Sequence, residues 1–156
     1  TGRPLPIVRL AASLAVRFGR AARPARRRPV PYDAELFEGN LITHDPARFA
    51  RARALVVDDP RLYVSGLSWG WLAAALRSCD LLTDRGQRGR IAVPGLVVAA
   101  GDDRLVSTSA TMRYAAGLPA VEAHRIEGAW HEILMETDRH RSEFWALFDR
   151  FAAKLL

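Results

Sequence analysis

Residues 93–106 read "VPGLVVAAGDDRLV". The short, continuous, β-branched run that ends at Gly101 has the form of a buried parallel strand, and the acidic pair after it opens a loop. Downstream, helix and strand alternate. "STSATMRYAAGLP" (107–119) opens on Ser107 as a helix cap and closes at Gly117 and Pro119. "AVEAHRIEG" (120–128) alternates imperfectly, which suits a strand nearer the sheet edge. "TDRHRSEFWALFDRFAAKLL" (137–156) spaces Phe144, Leu147, Phe148, Phe151 and Leu155 along one face of a helix. Residues 91–156 therefore predict β-α-β-α, the end piece of an α/β fold.

Upstream the reading is helical. Ile7, Leu10, Leu14 and Phe18 recur every three or four residues between arginines, so 5–22 predicts an amphipathic helix. "RPARRRPVPYD" (23–33) holds three prolines in eleven residues and reads as an extended connector. "THDPARFARARALVVDD" (43–59) predicts a second helix, with Asp45 as N-cap and Pro46 in the first turn, running to about Val57. "WGWLAAALRSCDLL" (69–82) predicts a third, and the polar "TDRGQRGR" (83–90) separates this part from the strands. The expected organisation is a mainly helical segment over 1–90 and an α/β segment over 91–156. Thr1 in place of Met reads as a chain cut from something longer.

Composition narrows the chemistry. With 156 residues and 49% hydrophobic content the chain can bury a core. Its single cysteine, Cys79, excludes a disulfide framework and the Cys-rich zinc patterns, which makes a reducing, cytoplasmic compartment the default. No metal or cofactor is expected. No apolar run reaches the roughly 18 residues of a membrane-spanning helix. The net charge of +6 is uneven: residues 1–32 carry eight of the 23 basic residues and no acid, leaving 15 basic against 17 acidic residues in the rest. A basic arm of that kind suits an anionic surface. Nucleic acid is disfavoured, because no interleaved aromatics beyond Phe18 and no nucleic-acid-binding motif accompany the arm.

Functional side chains of an open α/β sheet gather beyond the carboxyl ends of its strands. Here Asp103 stands two residues past Gly101, and His131 three residues past Gly128. A carboxylate and an imidazole on neighbouring loops make the orienting half of a Ser-His-Asp triad: the acid fixes the imidazole tautomer, and the imidazole takes and returns the nucleophile's proton. Asp102 competes for the acid's role, but its place directly after the strand glycine favours a local turn bond.

The segments "VPGLVVAAGDDRLVS" and "IEGAWHEILMETD" resemble the acid and histidine segments of the lysophospholipase and monoacylglycerol lipase-like α/β hydrolases, a family also described as serine aminopeptidase-like. The likeness is sharpest at G-x-D-R-x-V and G-A-x-H-E-x-x-M-E. It extends loosely over "FEGNLITHDPARFARARAL" and "WGWLAAALRS", which resemble the helical cap of bacterial members. The resemblance implies the C-terminal part of an α/β-hydrolase fold, its last two parallel strands with their helices preceded by a helical cap. It also implies Asp103 and His131 as catalytic acid and base, a lipid ester as substrate, and a nucleophile upstream of the cap, before residue 1.

One stretch competes with that last expectation. "GLSWG" (66–70) spells G-x-S-x-G, the pattern in which α/β hydrolases present a nucleophilic serine. In favour of Ser68 are the pattern, a short strand read at "RLYV" (61–64), and the order Ser68, Asp103, His131. Against it are the 35 residues to Asp103, room for a single strand where this fold usually places two, and the lack of upstream strands. The stretch before it is short and polar-flanked, and Trp71 follows Gly70 where close packing favours a small residue. The cap-helix reading is the expectation, with Trp69, Trp71 and Phe49 as candidate walls of an acyl pocket. The basic helix at 5–22 is a candidate for peripheral contact with an anionic membrane. The competing function is a non-enzymatic module that binds membrane or nucleic acid through the basic arm. Acyl chain, head group and oligomeric state are not legible.

Overall fold

The structure, a computed structural model, describes residues 5–25, 36–63, 66–83, 86 and 91–156. Most of the expected connector at 23–33, and all of the 83–90 stretch but Thr83 and Gly86, lie outside them.

Helices come first along the chain. α1 (Leu5–Arg17) is shorter than the 5–22 pattern predicts, because Gly19 turns the chain with a φ of 70°. α2 (Pro46–Asp58) starts as expected, with the Asp45 side chain accepting from Arg48 N–H and Pro46 in the first turn, where a missing N–H costs nothing. α3 (Trp69–Thr83) packs on α1, and a bidentate ion pair from Arg9 to Asp80, 2.5 and 2.8 Å, joins the two.

"RLYV" is not a strand. Pro60–Leu62 is a 3₁₀ turn begun by Asp59, whose carboxylate accepts from Arg61 N–H, and Val64 lies outside the described residues. An aspartate followed by proline is a stronger local instruction than three apolar residues, since it supplies both the cap and a preset φ.

The sheet has two parallel strands among the described residues: β1 (Gly95–Ala100) and β2 (Val121–Ile126), in register from Gly95 opposite Val121 to Ala100 opposite Ile126. The crossover is α4 (Thr108–Ala115), capped by Ser107, which accepts from Ala110 N–H. α5 (Asp138–Ala152) closes the chain, and both α4 and α5 pack on the strand pair. Ala100, Ile126, Ala129 and Leu147 form the buried centre, with Val98, Ile133 and Phe144 against it. The core therefore sits beneath the carboxyl ends of the strands, under the two loops that carry Asp103 and His131.

Those loops are stitched together. Gly101 N–H donates to Ile126 O at 2.8 Å, and Asp102 N–H donates to Ala129 O at 2.9 Å. A Cβ on Gly101 would stand 2.7 Å from Ile126 O and 2.9 Å from Glu127 Cα, so only glycine lets the two strand ends approach this closely.

Candidate active site

Because β1 and β2 end level and their loops are bonded to each other, Asp103 and His131 leave the same sheet edge side by side. The structure brings them together: His131 Nδ1 lies 2.8 Å from Asp103 Oδ2. The other carboxylate oxygen, Oδ1, accepts from Leu105 N–H at 2.7 Å and Val106 N–H at 3.0 Å, which fixes the acid's plane. The Asp103 side chain is 5% exposed and that of His131 30%. Burial works to raise the Asp103 carboxyl, but the Val106 N–H, the His131 bond and the Leu105 N–H outweigh it, and the acid is held below the ordinary aspartate range. An ionised carboxylate accepts only, so it selects the tautomer with the proton on Nδ1. The lone pair of the neutral ring is then on Nε2, the atom that can take a proton from a hydroxyl. Asp102, the rival acid, is exposed and its N–H is spent on the stitch to Ala129.

Ser68 stands in a different setting. Its Oγ accepts from Trp71 N–H at 3.1 Å, the bond of a helix N-cap, at the head of α3. Gly66 takes a φ of 87°, and Gly70 donates its N–H to Ala21 O at 2.9 Å with that residue's atoms 3.2 Å from where a Cβ would be. Each position of the G-x-S-x-G pattern is thus explained by a helix start folded against residues 21–25. Of the candidate pocket aromatics, Phe49 is buried and meets Phe37 edge-on at 5.6 Å, with Arg53 over its ring, while Trp71 is 56% exposed.

A second cluster lies beside the Asp103–His131 pair. Glu136 is fully buried, and its carboxylate accepts from the N–H groups of Trp130 (2.8 Å), Thr137 (3.0 Å) and His44 (3.2 Å), with His44 Nδ1 at 2.7 Å. Burial opposes its charge, yet these donors, Trp130 N–H foremost, overcome that and hold the carboxyl at about 2. His140 Nδ1 stands 3.4 Å from Oε2, and the His44 ring lies against Trp130 at 3.9 Å between centroids. His44, Glu136 and His140 are metal-ligand types with donor atoms within 4.8 Å of one another. Both oxygens of Glu136 are already committed to protein donors, however, so the trio is a self-satisfied hydrogen-bond knot rather than an open set of ligands. Sequence reasoning missed Glu136 and His44. Glu136 closes the G-A-x-H-E-x-x-M-E stretch, five residues after His131, but nothing in the sequence assigns it a role or pairs it with position 44.

Comparison with solved structures identifies the fold as that of the α/β hydrolases. A soluble variant of monoglyceride lipase from Saccharomyces cerevisiae aligns with a TM-score of 0.66 at 18% identity, over 96% of this chain and 49% of that one. The monoacylglycerol lipase of Paleococcus ferrophilus aligns with a TM-score of 0.64 at 16% identity, over 97% and 53%. The chain belongs to the family described as "Serine aminopeptidase, S33", whose profile matches residues 3–138. It is 33% identical over 134 residues to lysophospholipase L2 of Escherichia coli K12, and equally to that of Escherichia coli O6:H1 strain CFT073. The match covers 81% of this chain but 37% of those relatives, so the chain spans well under half of their length.

Proposed function

We propose that this chain supplies the acid, Asp103, and the base, His131, of a Ser-His-Asp triad, and that the intact protein hydrolyses esters of the lysophospholipid or monoacylglycerol type. The observation that carries the reading is the 2.8 Å bond from the His131 ring to a buried, ionised Asp103 at the carboxyl edge of parallel strands. The names of the relatives supply the substrate class.

The nucleophile comes from outside these residues, since Ser68 is engaged as a helix cap. In the reaction His131 Nε2 takes the proton of the serine hydroxyl as its oxygen adds to the ester carbonyl. The imidazolium, held by Asp103, then protonates the departing glycerol oxygen. Water repeats the cycle on the acyl-serine, releasing fatty acid. The helical part before β1 acts as a cap over the acyl chain. α1 carries Leu5, Ile7, Leu10 and Leu14 well exposed beside basic residues, which suits peripheral contact with an anionic membrane that presents such lipids. No helix among the described residues is long and apolar enough to cross a membrane.

The test is ester hydrolysis by the intact protein together with labelling by a fluorophosphonate. Asp103→Asn should lower kcat by roughly four orders of magnitude, as loss of the correct tautomer does in a triad. Ser68→Ala should leave turnover within a few-fold and cost about 1 kcal/mol of stability, the value of a cap bond. Label found on Ser68 would overturn the assignment. Salt-sensitive retention on anionic vesicles with no ester hydrolysis would favour a binding module instead.

A further inference from the structure

We propose that Glu136 is a positioning residue for His131, clamping the histidine's loop to the segment 42–48 so that the imidazole meets Asp103; this rests on the reading of His131 as the base. The peptide N–H on each side of His131 is tied down. Trp130 N–H donates to Glu136 Oε1 at 2.8 Å, and Glu132 N–H donates to Ile42 O at 2.9 Å. With both neighbours held, the His131 Cα has little freedom to swing its ring away from Asp103.

Glu136 is the hub of that restraint. Oε1 also meets His44 Nδ1, and Oε2 accepts the N–H groups of Thr137 and of His44 itself. The segment around His44 grips the same loop independently. Thr43 Oγ1 donates to Met135 O at 2.7 Å, and Arg48 Nη1 donates to Glu136 O at 2.8 Å while its Nη2 pairs with Asp138. Two sides of the histidine loop are thus bound to residues some 90 positions earlier, and one buried carboxylate joins them. Only a group that accepts at both oxygens fits there. A glutamine of the same shape turns one acceptor into a donor, so whichever way its amide lies it points an N–H at the Trp130 N–H or at those of His44 and Thr137.

The experiment is Glu136→Gln in the intact protein, read in two ways. A far-downfield proton resonance reports the His131 Nδ1–H to Asp103 bond without any turnover, and steady-state kinetics report kcat and KM. A folded E136Q should lose or broaden the resonance and show kcat down roughly 100-fold with KM little changed, the scale of a misplaced catalytic group. A merely structural role would lower the melting temperature and leave both readings of the folded protein intact. Folded E136Q with an unchanged resonance and kcat overturns the proposal, as does a wild-type protein without the resonance. If E136Q does not fold, His44→Ala decides: its half-exposed ring is dispensable to the core, and its removal should weaken the resonance and lower kcat in the same direction, whereas wild-type values overturn the proposal. Loss of the resonance in E136Q of a protein that hydrolyses no ester would sustain the positioning role and reject the hydrolase reading.

Discussion

Glu136 has no exposed surface and is nevertheless charged, which makes it one of the residues through which acid acts on this fold. Its carboxyl is held at about 2, below the ordinary glutamate value of about 4.5. A depressed folded-state value means that its contribution to stability is fully present above about pH 4.5 and is lost as the pH falls toward 2. Asp103 adds to this with the same sign. Chemical denaturation of the wild type and E136Q should therefore show a gap that narrows by on the order of 3 kcal/mol between about pH 6 and pH 2. A gap independent of pH would show that Glu136 is not the group responsible. The meeting of Asp103 and His131 is legible in the sequence because each lies a fixed, short distance past its own strand. That of Glu136 and His44 is not, because their bond joins positions 92 apart and neither carries a local mark of it.

Among the elements, the turn at the end of β1 governs the site. Gly101 has Ile126 O, Glu127 Cα and Gly128 N crowding the place of a side chain, while its N–H and that of Asp102 stitch the two strand ends. Gly101→Ala should cost roughly 1–3 kcal/mol, the scale of overpacking in a site with backbone on every side. It should also lower kcat by separating Asp103 from His131. Unfolding midpoints and turnover measured together check this, and an alanine variant of wild-type stability would mean the loops yield easily. Among the described residues, β1, β2, α2, α3, α4 and α5 follow the periodicity and cap signals of the sequence. The exceptions are instructive. α1 stops early at Gly19, where a left-handed residue outweighs a few more apolar positions. "RLYV" yields to the Asp59–Pro60 turn. The G-x-S-x-G pattern falls at a helix start here, and a helix start pressed against another segment asks for the same residues as a nucleophile elbow: a glycine at positive φ, a small hydroxyl side chain and a second glycine at close approach.

At the scale of the molecule, the two-stranded sheet found among the described residues leaves apolar surface uncovered there. Leu5, Ile7, Leu10 and Phe18 on or just after α1 and Trp145 and Phe148 on α5 are all more than 40% exposed, as are Val93, Leu105 and Val106 around β1. Exposed apolar area of this extent, with unpaired strand edges beside it, favours association. The 156-residue chain purified alone should bind a hydrophobic dye strongly and self-associate, and it should lack a cooperative thermal transition. Sharp melting as a monomer, with weak dye binding, would mean the surface is adequately covered.

The grip of residues 42–48 on the histidine loop has a bearing on when the site comes into being. Thr43 and His44 reach partners 92 positions away, and drawing a flexible loop of that length closed costs about 4 kcal/mol of chain entropy before any bond is gained. Contacts so distant along the chain are completed after the local helices and the β-α-β unit. Asp103 can thus be in place on β1's loop while His131 still lacks its final restraint, so that the bond between the two side chains is expected to close at the last stage of assembly.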